Sequence, residues 1–127
     1  MPYTKKLTIT RSEFARKENI RIQKGTDWEL EVTFLDEQGN AINLTGFTGK
    51  AQARTDYATT GTKICDFTVD ITTPASGKFK VSLSNANSDS TAITTASGIY
   101  DVELTDTAGK VERVLEGSVT FLGEVTV

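Results

Sequence analysis

Apolar residues at every second position are the feature that most limits how this chain can fold. Residues 28–34 read Trp-Glu-Leu-Glu-Val-Thr-Phe, and similar alternation recurs over residues 67–71, 79–83 and 100–104. Successive side chains of a β-strand point to opposite faces, so each of these segments has one apolar face and one polar face. The sequence therefore predicts a chain dominated by strands that each bury one side.

Turn-forming residues separate these segments. Residues 36–40 (Asp-Glu-Gln-Gly-Asn) predict a hairpin turn, residues 73–77 a reversal, and residues 106–109 a second hairpin turn. Seven or eight short strands without a long amphipathic helix are typical of two packed antiparallel sheets. We therefore predict an all-β fold, an immunoglobulin-like antiparallel β-sandwich, with a flattened barrel as the alternative.

Local departures from alternation carry further predictions. Residues 111–121 change phase at Val114 and contain Gly117, which predicts a β-bulge there. The small residues at 49, 51 and 53 indicate close approach of backbones. Residues 55–62 and 84–97 are polar and are expected to be loops, the second with one helical turn.

Charge divides the chain into a basic start and an acidic remainder. Residues 1–24 carry a net charge of +5 and the rest carries −8, within a total of −3. At 127 residues the chain is long enough for one core. We predict a basic N-terminal arm over residues 1–19 and a β-sandwich domain over residues 20–127. The arm is expected to be extended, with a short helix over residues 11–18, because Thr10 and Glu13 have the spacing of a capping box.

The arm is the predicted binding surface. Its positive charge suits the acidic body of a neighbouring copy or another acidic protein. Only two aromatic residues accompany its charges, which argues against a nucleic-acid partner. The alternatives are a solvated, frayed terminus, or an arm whose apolar residues merely pack on their own domain. The predicted protein contacts are Lys5, Lys6, Leu7, Ile9, Arg11, Phe14, Arg16 and Lys17.

The residue types that most enzymes use are scarce. The chain contains no histidine and a single cysteine, Cys65, which we expect to be a buried small side chain. Carboxylates spaced by two, at 29 and 31 and at 101 and 103, share a strand face, but a solvated sheet shows the same pattern. We therefore predict no enzyme activity, no cofactor and no metal. No apolar run reaches membrane-spanning length and no secretory signal is recognisable, so no membrane partner is expected.

Short motifs follow one another in a fixed order over residues 20–127. They are Ile22-x-x-Gly25-x-Asp27-Trp28-x-Leu30, Asp36-x-x-Gly39-x-x-Ile42-Asn43-Leu44-Thr45-Gly46-Phe47, Ala51-x-Ala53-Arg54, Gly77-Lys78, Gly98-Ile99-Tyr100-Asp101-Val102-Glu103-Leu104, Asp106-x-x-Gly109, Arg113-Val114-Leu115-Glu116-Gly117 and Glu124-Val125-Thr126. This order resembles a small β-sandwich structural module of tailed bacteriophages. More loosely, it is similar to the N-terminal module of upper baseplate proteins.

The resemblance implies a non-enzymatic component of a virion that is assembled in the host bacterial cytoplasm. It implies an adaptor or cement protein that joins other virion proteins at the tail, baseplate or neck, or decorates the head. Such a protein would bind through its arm and sheet edges, and we expect it to form a homo-oligomer. The alternative is a carbohydrate-binding module for host attachment. For that function Tyr57 is the candidate aromatic platform, because the parity of Trp28 predicts a core position.

Overall fold

Nine β-strands form within the residues that the computed structural model describes, which are 3–56, 61–84 and 97–123. The strands are β1 (Tyr3–Thr10), β2 (Arg16–Lys17), β3 (Ile20–Gln23), β4 (Trp28–Leu35), β5 (Thr48–Arg54), β6 (Lys63–Thr73), β7 (Lys78–Leu83), β8 (Ser97–Thr105) and β9 (Val111–Leu122). One 3-10 turn, Pro74–Ser76, makes the predicted reversal between β6 and β7. The all-β class is confirmed.

The strands follow one continuous path, β1-β4-β7-β6-β5-β8-β9-β2, and β3 also pairs with β9. Strand β6 connects the two halves of the path, because its first part pairs with β5 and its second part with β7. The N-terminal strands are unusual in direction: β1 runs parallel to β4, and β2 and β3 run parallel to β9. The other pairs are antiparallel. The sheet is thus nearly closed, with N-terminal residues at both of its ends.

The alternating residues of both halves enter one hydrophobic core. In β4 every second residue is buried, from Trp28 to Phe34, as the sequence pattern predicts. The Trp28 ring lies 5.8 Å from that of Phe67, which lies 6.4 Å from that of Tyr100, so β4, β6 and β8 meet through aromatic contacts. Trp28 is therefore a core residue, as predicted.

The two predicted turns form in the same way but join different structures. In each turn an aspartate carboxylate, of Asp36 or Asp106, accepts hydrogen bonds from the backbone N–H groups of the residues two and four positions further on. The second turn joins β8 to β9 as a hairpin. After the first turn, only a single bridge, Leu35 to Ala41, pairs the chain with β4, because β1 and β7 already flank that strand. The hairpin prediction is thus right for the turn and wrong for the strand pairing.

The predicted bulge in β9 is confirmed. Val102 of β8 pairs with Leu115 while the next residue pairs with Arg113, so Val114 is the additional residue, and both Val114 and Leu115 are buried. Nearby, a Cβ on Gly117 would overlap the carbonyl oxygen of Glu18. The absence of a side chain at this position lets the residues between β2 and β3 lie against β9.

The predicted helix over residues 11–18 is wrong. The Arg11 N–H donates to the Leu35 carbonyl at 2.7 Å, and residues 16–17 pair with β9 as β2. Thr10, the expected cap, belongs to β1. Strand pairing with distant segments outweighs the weak local capping signal. The predicted helical turn within residues 84–97 falls almost wholly outside the described residues.

Candidate protein-binding surface

The N-terminal segment, which we define as residues 3–23, supplies the strands at both ends of the sheet. β1 covers one edge of β4, and β2 and β3 cover the edge of β9. Residues 11–15 carry the chain from one half of the sheet to the other. Any partner that adds to a sheet edge would therefore meet this segment first.

The free edge of β1 presents unpaired backbone groups. β1 pairs with β4 over eight consecutive positions without a register shift. Beyond its end the Arg11 N–H still points toward β4, where it donates to Leu35. Because successive residues of a strand direct their backbone groups to opposite sides, those of Thr4, Lys6, Thr8 and Thr10 point away from β4. The side chains of these four residues are also exposed.

Two ion pairs, one from β1 and one from the residue that follows it, join this end of the sheet to the opposite half. The Lys5 Nζ lies 2.6 Å from a carboxylate oxygen of Glu18, between β2 and β3. The Arg11 guanidinium donates to both carboxylate oxygens of Glu112 in β9, at 3.0 and 2.8 Å, and lies 5.2 Å from the centre of the Phe34 ring. Bidentate pairs of this kind fix orientation as well as adding stability. They hold β1 beside β9 through side chains.

The eight predicted contact residues fall into two groups. Ile9 is 1% exposed in the core, Leu7 is partly buried against it, and Lys5 and Arg11 are held in ion pairs. The other four are exposed, with the Phe14 side chain 76% exposed and the Arg16 guanidinium 3.7 Å from the Glu18 carboxylate. Binding by these residues remains a prediction, and its exposed members are Lys6, Phe14, Arg16 and Lys17.

Phe14 directly follows three residues that line a cleft, at the end of the sheet that carries the two aspartate turns. The cleft, of about 530 Å³, is lined by Arg11 to Glu13, by the partly buried Phe47 and by the exposed Val111, among others. An exposed aromatic side chain is the kind of anchor that protein interfaces use. The cleft borders the arm residues that the sequence singled out.

A second cleft covers the outward face of β5, β8 and β9. It has a similar volume and brings together cations of β5 and β9, such as Lys50 and Arg113, with carboxylates of β8 and β9. Burial raises the pKa of Asp101, although Arg113, 3.2 Å away, lowers it in part. The Tyr100 hydroxyl donates to the Glu18 carbonyl at 2.5 Å, and burial raises its pKa, so it stays protonated.

The described residues offer few groups for covalent or metal chemistry. Within residues 3–56, 61–84 and 97–123, no three His, Cys, Asp or Glu side chains are grouped to hold a metal ion. Cys65 is only partly buried, where full burial was expected. Burial nevertheless raises its thiol pKa to about 11, which keeps it in the unreactive protonated form at neutral pH. In the same ranges no helix is long and apolar enough to cross a membrane.

In each pair of carboxylates that shares a strand face, one carboxylate forms an ion pair with a cation. Glu29 lies 3.5 Å from Lys80 on β7, and Asp101 lies beside Arg113. Such pairs are typical of a solvated sheet face. The candidate glycan residue Tyr57 falls outside the described residues, and the burial of Trp28 removes the chain's single tryptophan as a surface platform.

Comparison with known proteins finds a match in structure but not in sequence. No family model matches the chain, and no curated protein sequence matches it. Among solved structures, the chain is similar to the N-terminal domain of phage TP901-1 ORF48, with a TM-score of 0.55 at 10% sequence identity. The match covers 98% of this chain and 99% of that domain.

At this identity the similarity establishes a shared fold. The chain is an all-β module with the fold of a phage protein domain, which confirms at the level of fold the resemblance drawn from the order of motifs. With 98% of the chain covered, the shared fold also takes in most of residues 1–19, which lie outside that motif pattern.

Proposed function

We propose that this chain is a non-enzymatic structural component of a tailed-phage virion. In this role it is an adaptor or cement protein, assembled in the host bacterial cytoplasm, that binds other virion proteins through its N-terminal segment and sheet edges. The observation that carries the proposal is the fold shared with a phage protein domain over nearly the whole of both chains.

The distribution of charge supports this surface over the others. Lys6, Arg16 and Lys17 are exposed on the N-terminal segment, while the remainder of the chain after residue 24 has a net charge of −8. Opposite charges speed and orient docking even where they add little affinity. The exposed Phe14 supplies an apolar anchor among these cations. A partner with an acidic surface and an apolar pocket would satisfy both features.

We also propose that the sheet is an immunoglobulin-like sandwich and not a flattened barrel. The support is the way the two ends of the sheet meet. Between β1 at one end and β2, β3 and β9 at the other, a seam is crossed by the side-chain ion pairs of Lys5 and Arg11. A closed barrel would instead continue the backbone hydrogen bonds across the seam. An experimental structure with a ladder between β1 and β2 or β3 would favour the barrel.

The test of function uses charge reversal in the phage whose genome encodes the chain. Particles would be assembled with the Arg16→Glu/Lys17→Glu variant, and the amount of the chain in purified virions would be measured by quantitative mass spectrometry. We expect a loss of at least about tenfold, because the two new carboxylates would repel an acidic partner where the cations attracted it. Point variants are preferable to removal of the arm, because the arm contributes Ile9 to the core.

The matched control is Lys63→Glu/Lys78→Glu, which reverses two exposed lysines that lie outside the N-terminal segment and outside both clefts. Both double variants take the net charge from −3 to −7, so total charge is held constant. The control is expected to enter particles normally. Normal incorporation of the arm variant would refute the arm as binding surface, and absence of the wild-type chain from virions would refute the virion role itself.

A further inference from the structure

The two ends of the sheet differ in how well they resist pairing with another strand. The β9 end is covered by β2, of two residues, and β3, of four, with two residues between them that belong to neither strand. Short, interrupted strands are a common protection of an edge. β1 has eight residues in unbroken register with β4, and residues 3–10 contain neither proline nor a bulge. Within the described residues, β1 is the long, regular edge that remains open.

We propose that β1 pairs in antiparallel fashion with β1 of a second copy of this chain, about a two-fold axis at Leu7. The pairing would join the two sheets into one through their backbones. The inference rests on the proposed function, because it names one partner of the N-terminal segment. That partner is a second copy of the chain, so the pairing can be tested with the purified protein alone.

The directions of the backbone groups select the register. The four residues whose N–H and C=O groups point outward lie at even positions, from Thr4 to Thr10. With the axis at Leu7, Thr4 meets the partner's Thr10 and Lys6 meets the partner's Thr8. All four outward residues of each strand then pair, which gives about eight backbone hydrogen bonds.

Neighbouring registers are poorer. An axis at position 6 would set Lys6 directly against its own copy, and like charges directly opposite each other are destabilising. An axis at position 8 would set Thr4 against the partner's Ser12, which lies beyond the end of β1, so that pair of residues would be lost from the ladder. The register centred on Leu7 therefore uses the most hydrogen bonds and avoids the direct lysine pair.

Side chains near the axis fit a second copy. Leu7 is only partly buried at the edge of the core, and two copies of it would meet at a close, non-hydrogen-bonded position of the pair. On the outer face, Glu31 lies opposite Lys6 in the β1–β4 register, and Glu29 accepts a hydrogen bond from Thr4. These carboxylates offset the charge of the two lysines that the dimer brings together.

The first experiment measures self-association of the purified chain by sedimentation equilibrium over a wide range of concentration. We expect a species of twice the 13.8 kDa of one chain. Thr8→Pro removes an outward N–H and is expected to raise the dissociation constant at least about tenfold, since proline is tolerated in an edge strand where its N–H would face solvent. Thr8→Val keeps the N–H and the branched shape, so it should dimerise like the wild type.

The second experiment tests the register by oxidative cross-linking in a Cys65→Ala background. Leu7→Cys places two sulfurs across the axis, where Cα atoms are about 4.5 Å apart, and should form a covalent dimer. Lys6→Cys and Thr8→Cys each lie opposite a different residue and should cross-link at least about tenfold more slowly. Circular dichroism of each variant verifies that the domain is folded.

A wild-type chain that stays monomeric at every concentration would overturn the inference, as would a folded Thr8→Pro variant that dimerises normally. Preferential cross-linking at position 6 or 8 would overturn the register. These failures are distinct from failure of the proposed function, because a monomeric chain that is still incorporated into virions through Arg16 and Lys17 would refute the dimer and support the adaptor role.

Discussion

Replacement of Ile9 by alanine tests whether β1 is a built-in strand or a loosely attached arm. The Ile9 side chain is 1% exposed and belongs to the hydrophobic core. Truncation of a buried isoleucine to alanine costs about 2–5 kcal/mol from lost transfer free energy and the cavity left behind. β1 is an edge strand and can relax toward the cavity, so we expect about 2–3 kcal/mol of lost stability, at the lower end of this range.

The assay is equilibrium unfolding in urea, followed by tryptophan fluorescence, since Trp28 is buried in the same core. With a slope of about 1.5 kcal/mol per molar urea, the midpoint should fall by about 1 to 2 M. Thr8→Ala, at an exposed position next along the strand, should stay within about 0.5 kcal/mol of the wild type. Equal urea midpoints for the two variants would refute the packing of β1 against the core and would indicate that the arm is detached from it.

Two further outcomes follow from the structure. Gly117→Ala should cost about 1–3 kcal/mol, because the new Cβ would overlap a backbone carbonyl, whereas Gly123→Ala, which meets nothing within 4 Å, should be near neutral in the same urea assay. The Cys65 thiol, with its pKa raised from 9.0 to about 11, should react with a disulfide reagent very slowly at pH 7 and faster with each pH unit up to about 11. The raised pKa means that the folded state holds this proton more tightly than the unfolded chain, so its contribution to stability is present below pH 9 and is lost as the pH rises from 9 to about 11. Fast labelling at pH 7, or equal urea midpoints for the two glycine variants, would contradict these assignments.

The sequence shows which residues of the predicted site are basic but not which of them are exposed. The excess of basic residues in the first twenty-four positions is visible directly, and it points to exposed Lys6, Arg16 and Lys17. The same basic residues also include Lys5 and Arg11, whose side chains form ion pairs within the fold. Nothing local distinguishes the two groups, because the carboxylate partner of Arg11 lies 101 residues away in the chain.

The sequence by itself determined the properties that depend on neighbouring residues. Alternation set the buried faces of β4, β7 and β8, aspartate and glycine set the turns, and the phase change at Val114 set the bulge. Each follows from the geometry of a few consecutive residues. The possible capping box was equally local, and it failed because stronger pairing with distant strands was available.

Only the tertiary structure decided which strands lie side by side. A strand of alternating residues satisfies its backbone equally well in parallel or antiparallel pairing, so nothing in residues 3–10 specifies a parallel place beside β4. That placement depends on the whole core, which receives Ile9, and on the ion pairs that tie β1 to Glu18 and Glu112. It makes residues 3–10 of the predicted arm an edge strand, whose outward backbone groups are the edge that we propose for binding.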